Sequence, residues 1–277
     1  MPILNEIIYE ERFFNDNIYE DSGLSFYYRT RFIPMVSQRE FDRISNYLSN
    51  PATKFRNIKN YKVYKTNKKI KLKSKINEKK DSFFDTLFSR ISIRKFINES
   101  MSFDKFSYII SSSYGVNGKY LEVGKNERLL LRTVPSAGGL YPIEMYVAIF
   151  NIEGLEPGIY HYNPIENNLE LIKSGNFSNE IIKLYQGLED LKDSSAVILL
   201  TAVYNRTVMK YGERGWRFIF LDAGHLMQNI YLTSTNLKVG VYALGGGYDS
   251  AINRFLEINE LNEVYVYGAA IGNISHD

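Results

Sequence analysis

The residues best suited to chemistry lie in the segment VMKYGERGWRF, residues 208–218, where Lys210 and Tyr211 are adjacent. A lysine becomes a general base when burial or nearby cations lower its pKa, and a tyrosine beside a cation ionises more readily. An acid and two arginines follow within six residues. Lys210 and Tyr211 are therefore the candidate catalytic pair. The same composition is also typical of a solvated charged turn, so that alternative stays open.

A second candidate site is RISIRKF, residues 90–96, which places Arg90, Ser92 and Arg94 at alternate positions. In an extended chain, side chains at alternate positions share one face. Two guanidinium groups and a hydroxyl on one face suit a phosphate, because arginine offers paired donors to phosphate oxygens. An exposed basic edge strand has the same pattern.

Two glycine-rich segments could let a ligand approach the backbone closely. In VPSAGGLYP, Pro135 fixes a turn and Ser136 supplies a hydroxyl, while the residues after them leave backbone amides uncovered. In ALGGGYD, three consecutive glycines allow a tight fold that presents its amides. Either segment could equally be an ordinary loop.

Composition excludes several classes of site. The chain has 277 residues, 44% of them hydrophobic, which is enough for a sizeable core. It has no cysteine, so disulfides, zinc–cysteine sites and thiol nucleophiles are excluded. Only His161, His225 and His276 could supply imidazole, and no metal centre is expected. Because neither a signal peptide nor a run of 18 apolar residues is found, a cytoplasmic protein without membrane contact is expected.

The positive charge is concentrated in one segment. Residues 54–80 carry a net charge of +11, and since the whole chain carries +3, the remainder carries −8. Such a lysine run could bind nucleic acid or an acidic peptide. The aromatic residues between the lysines are few and irregular, which favours a solvated linker instead, and no nucleic-acid partner is expected.

The chain is predicted to comprise an N-terminal extension, residues 1–80, and a mixed α and β domain, residues 81–277. In the extension, a capping box of Ser37 and Glu40 predicts a helix from Ser37, and YKVYKTNKKIKLK predicts an exposed strand or extended arm. In the domain, strands are predicted at MYVAIF, GIYHYN, AVILLTAVY and VYVYGAAIG, and helices at FFDTLFSR and FDKFSYIISSSYG.

The segment WRFIFLDAGHLMQNIYLTSTNLKVG is apolar nearly all round. This pattern is typical of a helix in the middle of a fold or in a subunit interface. His225, inside this segment, is expected to be a buried and hydrogen-bonded core residue.

Taken together and in this order, the segments resemble one family. The R-x-S-x-R element, the P-S-A-G-G-L-Y-P turn, the K-Y-G-E-R-G-W-R-F segment, L-D-A-G-H-L-M-Q-N and A-L-G-G-G-Y-D are similar to those of the nitroreductase-fold flavoenzymes. More narrowly, they resemble the SagB/McbC-type dehydrogenases, which oxidise azoline rings in peptide natural-product biosynthesis. The resemblance covers residues 82–273. The chain departs from the pattern at Gly247, where an aromatic residue is expected.

The resemblance implies an α+β nitroreductase fold, with a central mainly antiparallel sheet flanked by helices, and a homodimer with FMN at the interface. The implied FMN-binding residues are Arg90, Ser92, Arg94, Pro135, Ser136, Ala137, Gly138, Leu244, Gly245 and Gly246. Residues 135–138 would come from the partner subunit, and the helix of residues 218–237 would be the central dimer helix. Lys210 and Tyr211 are implicated in catalysis.

The implied reaction is oxidation of a thiazoline or oxazoline to a thiazole or oxazole in a ribosomally made peptide. A base must take a proton while the flavin takes a hydride; Lys210 and Tyr211 are both candidates. A cyclodehydratase and the precursor peptide are the expected partners, and the N-terminal extension could help to dock them. Two alternatives stay open: an NAD(P)H-dependent reductase acting on a nitro compound, quinone or dehydroamino acid, and a non-catalytic peptide-binding scaffold.

Overall fold

A computed structural model describes residues 22–30, 34–53, 59–75, 82–124 and 127–275. The helices are α1 (Ser22–Arg29), α2 (Pro34–Ser49), α3 (Phe83–Ser89), α4 (Phe103–Tyr114), α5 (Ser178–Leu184), α6 (Asn205–Tyr211), α7 (Gly215–Asn236) and α8 (Asp249–Phe255). The strands are β1 (Lys69–Lys71), β2 (Val116–Gly124), β3 (Glu127–Arg132), β4 (Ile143–Ile149), β5 (Gly158–Asn163), β6 (Asn168–Ser174), β7 (Ala196–Ala202), β8 (Gly240–Leu244) and β9 (Val264–Gly272).

Seven strands form one sheet in the order β1-β6-β5-β4-β7-β9-β8, in which every neighbouring pair is antiparallel. Strands β2 and β3 form a separate hairpin. The four predicted strands are confirmed as β4, β5, β7 and β9, and the two predicted helices as α3 and α4. The fold is therefore α+β with a mainly antiparallel sheet flanked by helices, as the resemblance implied.

The central strands are buried on both faces, which explains their nearly continuous apolar sequences. Along β4, Met145 and Val147 point into a core shared with helices α4 and α7. The alternate residues Tyr146 and Ala148 point into a second core, shared with α5 and α8. The period of two along the strand thus divides one apolar run between two helical layers.

Helix α7 is apolar nearly all round, but it packs on the rest of the protomer through one face only. Ile219, Leu226 and Ile230 are buried in the core, whereas Phe220 and Leu221 are about half exposed. His225 lies on this exposed face, so the prediction that it is a buried core histidine is wrong. The helical period of 3.6 residues places position 225 one turn from the exposed Leu221, and the sheet covers only the opposite face.

Helix α2 begins at Pro34, three residues before the predicted start, so Ser37 lies inside the helix and the predicted capping box is wrong. Proline suits the first turn of a helix because its fixed φ is helical and the missing N–H would have no partner there. The division of the chain near residue 80 stays a prediction. Strand β1, which comes from the extension, forms one edge of the main sheet. No helix in the described ranges is long and apolar enough to cross a membrane.

Residues 59–75, here called the strap, do not form a solvated linker. Lys62 Nζ lies 2.6 Å from Glu263 Oε2, and Lys69 Nζ lies 3.1 Å from Glu170 Oε1. Further contacts join Lys68 to Glu156, Lys71 to the Glu166 carbonyl and Lys73 to Asp104. The prediction of a solvated linker is wrong for this part of the lysine run, because acids and carbonyls of the domain hold it on the sheet. Lys54, Lys79 and Lys80 lie outside the described residues.

A buried network of charged side chains crosses strands β4, β5 and β6. The imidazole of His161 lies 2.8 Å from Glu144 Oε2 through Nε2 and 3.1 Å from Glu170 Oε2 through Nδ1. Arg206 of helix α6 reaches Glu144 Oε1 at 2.5 Å and donates to the Tyr141 carbonyl at 2.9 Å. The network therefore fixes helix α6 to the sheet and to the loop before β4.

The side chains of this network stay charged because their partners stabilise the charged forms more than burial destabilises them. Burial alone would lower the pKa of His161, but its hydrogen bonds to Glu144 and Glu170 outweigh burial and raise that pKa. Burial would raise the pKa of both acids. Arg206 and His161 bring the pKa of Glu144 down to about 2, and His161, the Tyr64 amide and Lys69 do the same for Glu170.

The network predicts a pH dependence of stability. The two acids stabilise the fold above their ordinary pKa of 4.5, and this contribution is lost as pH falls toward 2. His161 stabilises the fold most fully below its ordinary pKa of 6.5, and this contribution is lost as pH rises through its higher folded-state pKa. We therefore expect the contribution of the network to the free energy of unfolding to be greatest between about pH 4.5 and 6.5.

The change His161→Gln tests this expectation by urea unfolding at pH 5.5, 7 and 8.5. The wild-type protein should exceed the variant in stability most at pH 5.5, and the difference should shrink as pH rises. The control is Glu153→Gln, which also replaces an ionisable side chain by glutamine but at an exposed position, and for which the difference should stay small throughout. A difference for His161→Gln that does not change with pH would contradict the assignment of a charged imidazole.

Candidate active site

Lys210 and Tyr211 lie at the end of helix α6 and face the turn formed by residues 135–139. A Cβ atom at Gly138 would lie 2.6 Å from Lys210 Nζ and 2.6 Å from the Tyr211 hydroxyl oxygen. Gly138 has a φ of +65°, in the left-handed region that glycine adopts without steric cost. The structure thus brings the predicted catalytic pair onto one of the predicted glycine-rich segments. Lys210, Tyr211 and Gly138 are called the Lys–Tyr cluster below.

The turn is held in place by helix α7. The Ser136 hydroxyl donates to Asp222 Oδ2 at 2.5 Å and accepts from the Tyr141 amide at 2.9 Å. The Ala137 amide also donates to the Asp222 carboxylate. The Ser136 hydroxyl therefore stabilises the conformation of the turn. Within the turn, Pro135 and Gly138 are exposed.

The electrostatics of the Lys–Tyr cluster distinguish its two polar groups. Burial lowers the pKa of Lys210, which is only 8% exposed, and the described residues provide no salt bridge to its amine. The Lys210 Nζ instead lies 5.1 Å from the ring centroid of Tyr211 and 5.9 Å from that of Tyr47. Burial, and the nearby Asp222 carboxylate, raise the pKa of Tyr211. Of the two groups, Lys210 is the one that loses its proton more readily than usual.

Asp222 is a residue of the candidate site that the sequence analysis did not name as a site residue. Burial raises the pKa of Asp222 to about 6, against the lowering effects of the Ser136 and Ala137 hydrogen bonds and of His225. The carboxyl group is therefore partly protonated just below neutral pH while it holds the turn.

The strap also contacts the turn. Asn60 Nδ2 donates to the Gly139 carbonyl at 3.1 Å, and Arg132 donates from one guanidinium nitrogen to the Asn60 carbonyl at 2.9 Å. The Arg132 guanidinium lies between the rings of Tyr114 and Tyr141, 4.6 Å from each centroid. The turn is thus held from two sides, by α7 and by the N-terminal strap.

Arg90, Ser92 and Arg94 follow helix α3 and run beside strand β8, where the Ile93 amide donates to the Val241 carbonyl. The Ser92 and Tyr231 hydroxyls lie 2.9 Å apart, and the Arg90 guanidinium lies 5.3 Å from the Tyr231 ring centroid. The Arg94 guanidinium lies 5.8 Å from the ring centroid of Tyr242. The three residues therefore have different surroundings. Arg90 and Ser92 contact Tyr231 of α7, whereas Arg94 lines a cleft.

This cleft, called the arginine cleft, has a volume of about 400 Å³, within the range of small-molecule sites. It is lined by Arg94, Tyr185, Gln186, Gly187, Leu188, Asp190, Tyr242, Ala243, Leu244, Gly245 and Gly246. It thus joins Arg94 with all three predicted residues of the second glycine-rich segment. A Cβ at Gly245 would meet open space, and the buried Tyr242 hydroxyl has no hydrogen-bond partner among the described residues. Bare backbone, a cation and an unsatisfied hydroxyl suit a polar ligand.

Sequence reasoning missed the residues that line this cleft from the segment after α5. The Gln186 amide donates to the Gly246 carbonyl at 2.5 Å, and Asp190 and Arg94 both act on Tyr242, whose pKa burial raises to about 12. A Cβ at Gly247 would lie 2.9 Å from a ring atom of Tyr185. Tyr185 therefore places an aromatic ring beside Gly247, the position where the sequence lacks one. No local sequence pattern connects residues 185–190 with residues 242–247.

The Lys–Tyr cluster and the arginine cleft adjoin different parts of helix α7. Asp222 contacts the turn, and Tyr231 contacts Ser92 and the Ala243 amide, at 2.8 Å for the latter. Nine residues of helix separate these two contacts, which corresponds to about 13 Å along the axis. Within the chain, the predicted site residues therefore form two groups.

The described fold is shared with a known family over most of the chain. The model of the nitroreductase family matches residues 87–273, and the chain belongs to this family. A protein of Methanocaldococcus jannaschii classed as a nitroreductase is 32% identical over 176 residues, which cover 64% of this chain and 84% of that protein. The chain is thus a nitroreductase-family oxidoreductase.

Within the family, the chain is also similar to a microcin-processing protein. The microcin B17-processing protein McbC of Escherichia coli is 24% identical over 155 residues, which cover 53% of this chain and 56% of McbC. The chain thus spans little more than half the length of McbC. A chain of the E. coli microcin synthetase McbBCD complex with bound truncated pro-MccB17 has the same fold, with a TM-score of 0.57 at 19% identity over 97% of each chain.

We predict that Asp222→Asn changes how stability depends on pH. A carboxyl whose pKa rises from 3.8 to about 6 on folding loses its stabilising effect as pH rises through that interval. The asparagine variant has no such carboxyl and does not lose this stability. Its free energy of unfolding, relative to that of the wild type, should therefore rise by roughly 3 kcal/mol between pH 3.5 and pH 7, since one pKa unit corresponds to about 1.4 kcal/mol. Urea unfolding across this range measures the difference. Asp249→Asn, at an exposed position, should show no such trend; an equal trend in both variants would contradict the assignment.

We also predict that Asn60→Ala destabilises the protein by about 1–3 kcal/mol. The Gly139 carbonyl loses its donor, and the Arg132 guanidinium keeps its bond to the residue 60 carbonyl but loses the one to Asn60 Oδ1 at 3.3 Å. Thermal unfolding measures the loss. The exposed Asn98→Ala is the matched control and should cost less than about 0.5 kcal/mol. If the two variants unfold alike, the strap does not hold the turn.

Proposed function

We propose that this protein is an FMN-dependent dehydrogenase that oxidises thiazoline or oxazoline rings to thiazoles or oxazoles in a ribosomally synthesised peptide. The observation that carries the proposal is the convergence of Lys210 Nζ and the Tyr211 hydroxyl on Gly138, with a lysine whose pKa burial lowers. The membership of the nitroreductase family and the likeness to McbC support it.

The proposed reaction requires a base. Aromatisation of an azoline removes a proton from one ring carbon and a hydride from its neighbour. Bound FMN would supply the hydride acceptor. Burial favours the neutral amine of Lys210, so Lys210 is the proposed base. Tyr211, whose pKa is raised, stays protonated. Its hydroxyl would donate a hydrogen bond that positions either the Lys210 amine or the azoline ring of the substrate.

The residues present fit a flavin mononucleotide. Arg90 and Arg94 would bind its phosphate, since guanidinium groups give paired hydrogen bonds to phosphate oxygens. Ser92 would contact the chain that links the phosphate to the ring. Leu244, Gly245 and Gly246 leave backbone uncovered at the arginine cleft, as the approach of a flat ring requires.

The remaining proposed flavin contacts, Pro135, Ser136, Ala137 and Gly138, would come from a second protomer. About 13 Å of helix α7 separates the two groups of site residues within one protomer. Five apolar side chains are more than half exposed: Phe220 and Leu221 on α7, and Phe83, Phe84 and Phe88 on α3. A homodimer that buries these faces would bring the two groups together and remove apolar surface from water.

By analogy with the McbBCD complex, we further propose that a cyclodehydratase makes the azoline before this protein acts on it. The N-terminal extension would take part in contacts with the peptide or partner. A reductase that uses NAD(P)H on a small electrophile is the alternative, and the likeness to the M. jannaschii nitroreductase favours it.

An anaerobic visible spectrum separates these functions. The purified protein is reconstituted with FMN and mixed either with an azoline-containing peptide or with NADPH. Bleaching of the flavin by the peptide and not by NADPH is expected. Bleaching by NADPH alone would support the reductase, and absence of any bound flavin would leave a non-catalytic scaffold.

We predict that Lys210→Met lowers the rate of azoline oxidation by about 10²–10⁴-fold while FMN remains bound, because the variant lacks the base. In the wild type, kcat/KM should rise with pH as the lysine loses its proton, and the midpoint of this rise should lie below the ordinary lysine pKa of 10.5. Stopped-flow reduction of the flavin at several pH values measures both effects. Lys183→Met, on exposed α5 surface, is the control. Wild-type rates in Lys210→Met would overturn the mechanism.

A further inference from the structure

A second cleft lies between helices α2 and α6, on the far side of Tyr47 from the Lys–Tyr cluster. Its volume is about 500 Å³. The wall that α2 and the residues after it provide includes Arg39, Arg43, Asn46 and Asn50, and Met209 of α6 lines the opposite wall. We refer to it as the α2–α6 cleft.

Four polar residues of this cleft form one stripe, and Asp42, three residues after Arg39 and four before Asn46, lies among them. Positions 39, 43, 46 and 50 are separated by four, three and four residues, the spacing that places helical side chains on one face. The stripe begins with two guanidinium groups and continues with two carboxamides. Guanidinium groups bind carboxylates through paired hydrogen bonds, and carboxamides can both donate to and accept from peptide groups. The Asn50 Oδ1 already accepts from the Ala52 amide at 2.9 Å, so Asn50 would act through its Nδ2 donor.

The charge of the stripe is available to a ligand. Among the described residues, neither Arg39 nor Arg43 forms a salt bridge, although Asp42 also lines the cleft. The strap lysines differ, since Lys62, Lys69 and Lys73 are bound to acids of the same chain. Within the described ranges, the arginine pair on α2 is therefore a cationic surface that lines a cleft and has no ion pair.

The cleft adjoins the proposed base. Met209 directly precedes Lys210 in the sequence, and Tyr47 lines the cleft while its ring centroid lies 5.9 Å from Lys210 Nζ. Tyr47 is only 7% exposed, so it forms a wall between the cleft and the Lys–Tyr cluster. A peptide bound in the cleft would therefore lie against Tyr47, whose ring centroid is 5.9 Å from Lys210 Nζ.

We propose that the α2–α6 cleft binds an acidic segment of a peptide, with Arg39 and Arg43 on its carboxylates and Asn46 and Asn50 on its backbone. The assignment of this peptide as the substrate rests on the proposed function. A nucleic acid fits the cleft less well, because the one aromatic ring in its lining, that of Tyr47, is buried and offers no face for bases to stack on.

Fluorescence anisotropy tests the binding without any turnover. The probe is a fluorescein-labelled twelve-residue peptide in which Asp and Glu alternate with Gly and Ser; a second probe has Asn and Gln in place of the acids. The full-length wild-type protein should bind the acidic probe, with an affinity that falls as salt is added, and bind the neutral probe at least about tenfold more weakly.

The double change Arg39→Glu and Arg43→Glu should weaken binding of the acidic probe by about tenfold or more. Lys65→Glu with Lys75→Glu is the matched control, because it changes the net charge equally at exposed positions of the strap and should leave the affinity within about twofold. Circular dichroism checks that both proteins fold. Unchanged binding in the arginine variant, or an equal loss in the control, would overturn the proposal. So would tighter binding of a single-stranded oligonucleotide that the arginine change abolishes.

A kinetic comparison connects the cleft to the reaction. With azoline peptides, the arginine change should raise KM for a substrate with an acidic flank about tenfold more than for its neutral counterpart. If the acidic probe binds at the arginines but no peptide is oxidised, the proposed function fails and the binding site stands. If peptides are oxidised but neither KM nor probe affinity depends on the arginines, the function stands and the cleft assignment fails.

Discussion

The close approach of Lys210 and Tyr211 to the backbone of Gly138 is the contact on which the site depends. Both polar atoms lie 2.6 Å from the position that a Cβ would take, so any other residue would push the two side-chain ends away from the backbone. The left-handed φ of Gly138 is also one that other residues adopt at a cost of about 1–2 kcal/mol. A buried lysine amine without an ionic partner is itself unfavourable when charged. The geometry therefore keeps a basic amine against bare backbone and favours its neutral form.

The structure holds this arrangement through buried polar contacts on several sides. Arg206 ties helix α6 to Glu144 and to the Tyr141 carbonyl, while Asp222 ties the turn to helix α7. The charges of Glu144 and Arg206 are balanced within a network that continues through His161 to Glu170. Since breaking a buried ionic contact leaves an uncompensated charge, these contacts specify one position of α6 relative to the turn.

The N-terminal residues contribute to the same site. Asn60 of the strap contacts the turn, and Tyr47 of helix α2 covers the Lys210 amine, which contributes to the burial that lowers the lysine pKa. The strap itself is held to the sheet by its lysines. The region preceding the family-matched residues 87–273 is therefore part of the structural support of the Lys–Tyr cluster.

The sequence by itself determined the α+β class, four of the central strands and the helices α3 and α4, because runs of β-branched and aromatic residues and helical spacing are local properties. Its motifs also determined the family. It did not determine that His225 faces outward, that the lysine run is fastened to the sheet, or that Tyr185 and Gln186 line the arginine cleft. These features depend on which distant segments become neighbours. Likewise, a sequence cannot distinguish the pKa of Lys210 from that of Tyr211, because burial and neighbouring charges set both, and only the tertiary structure decides them.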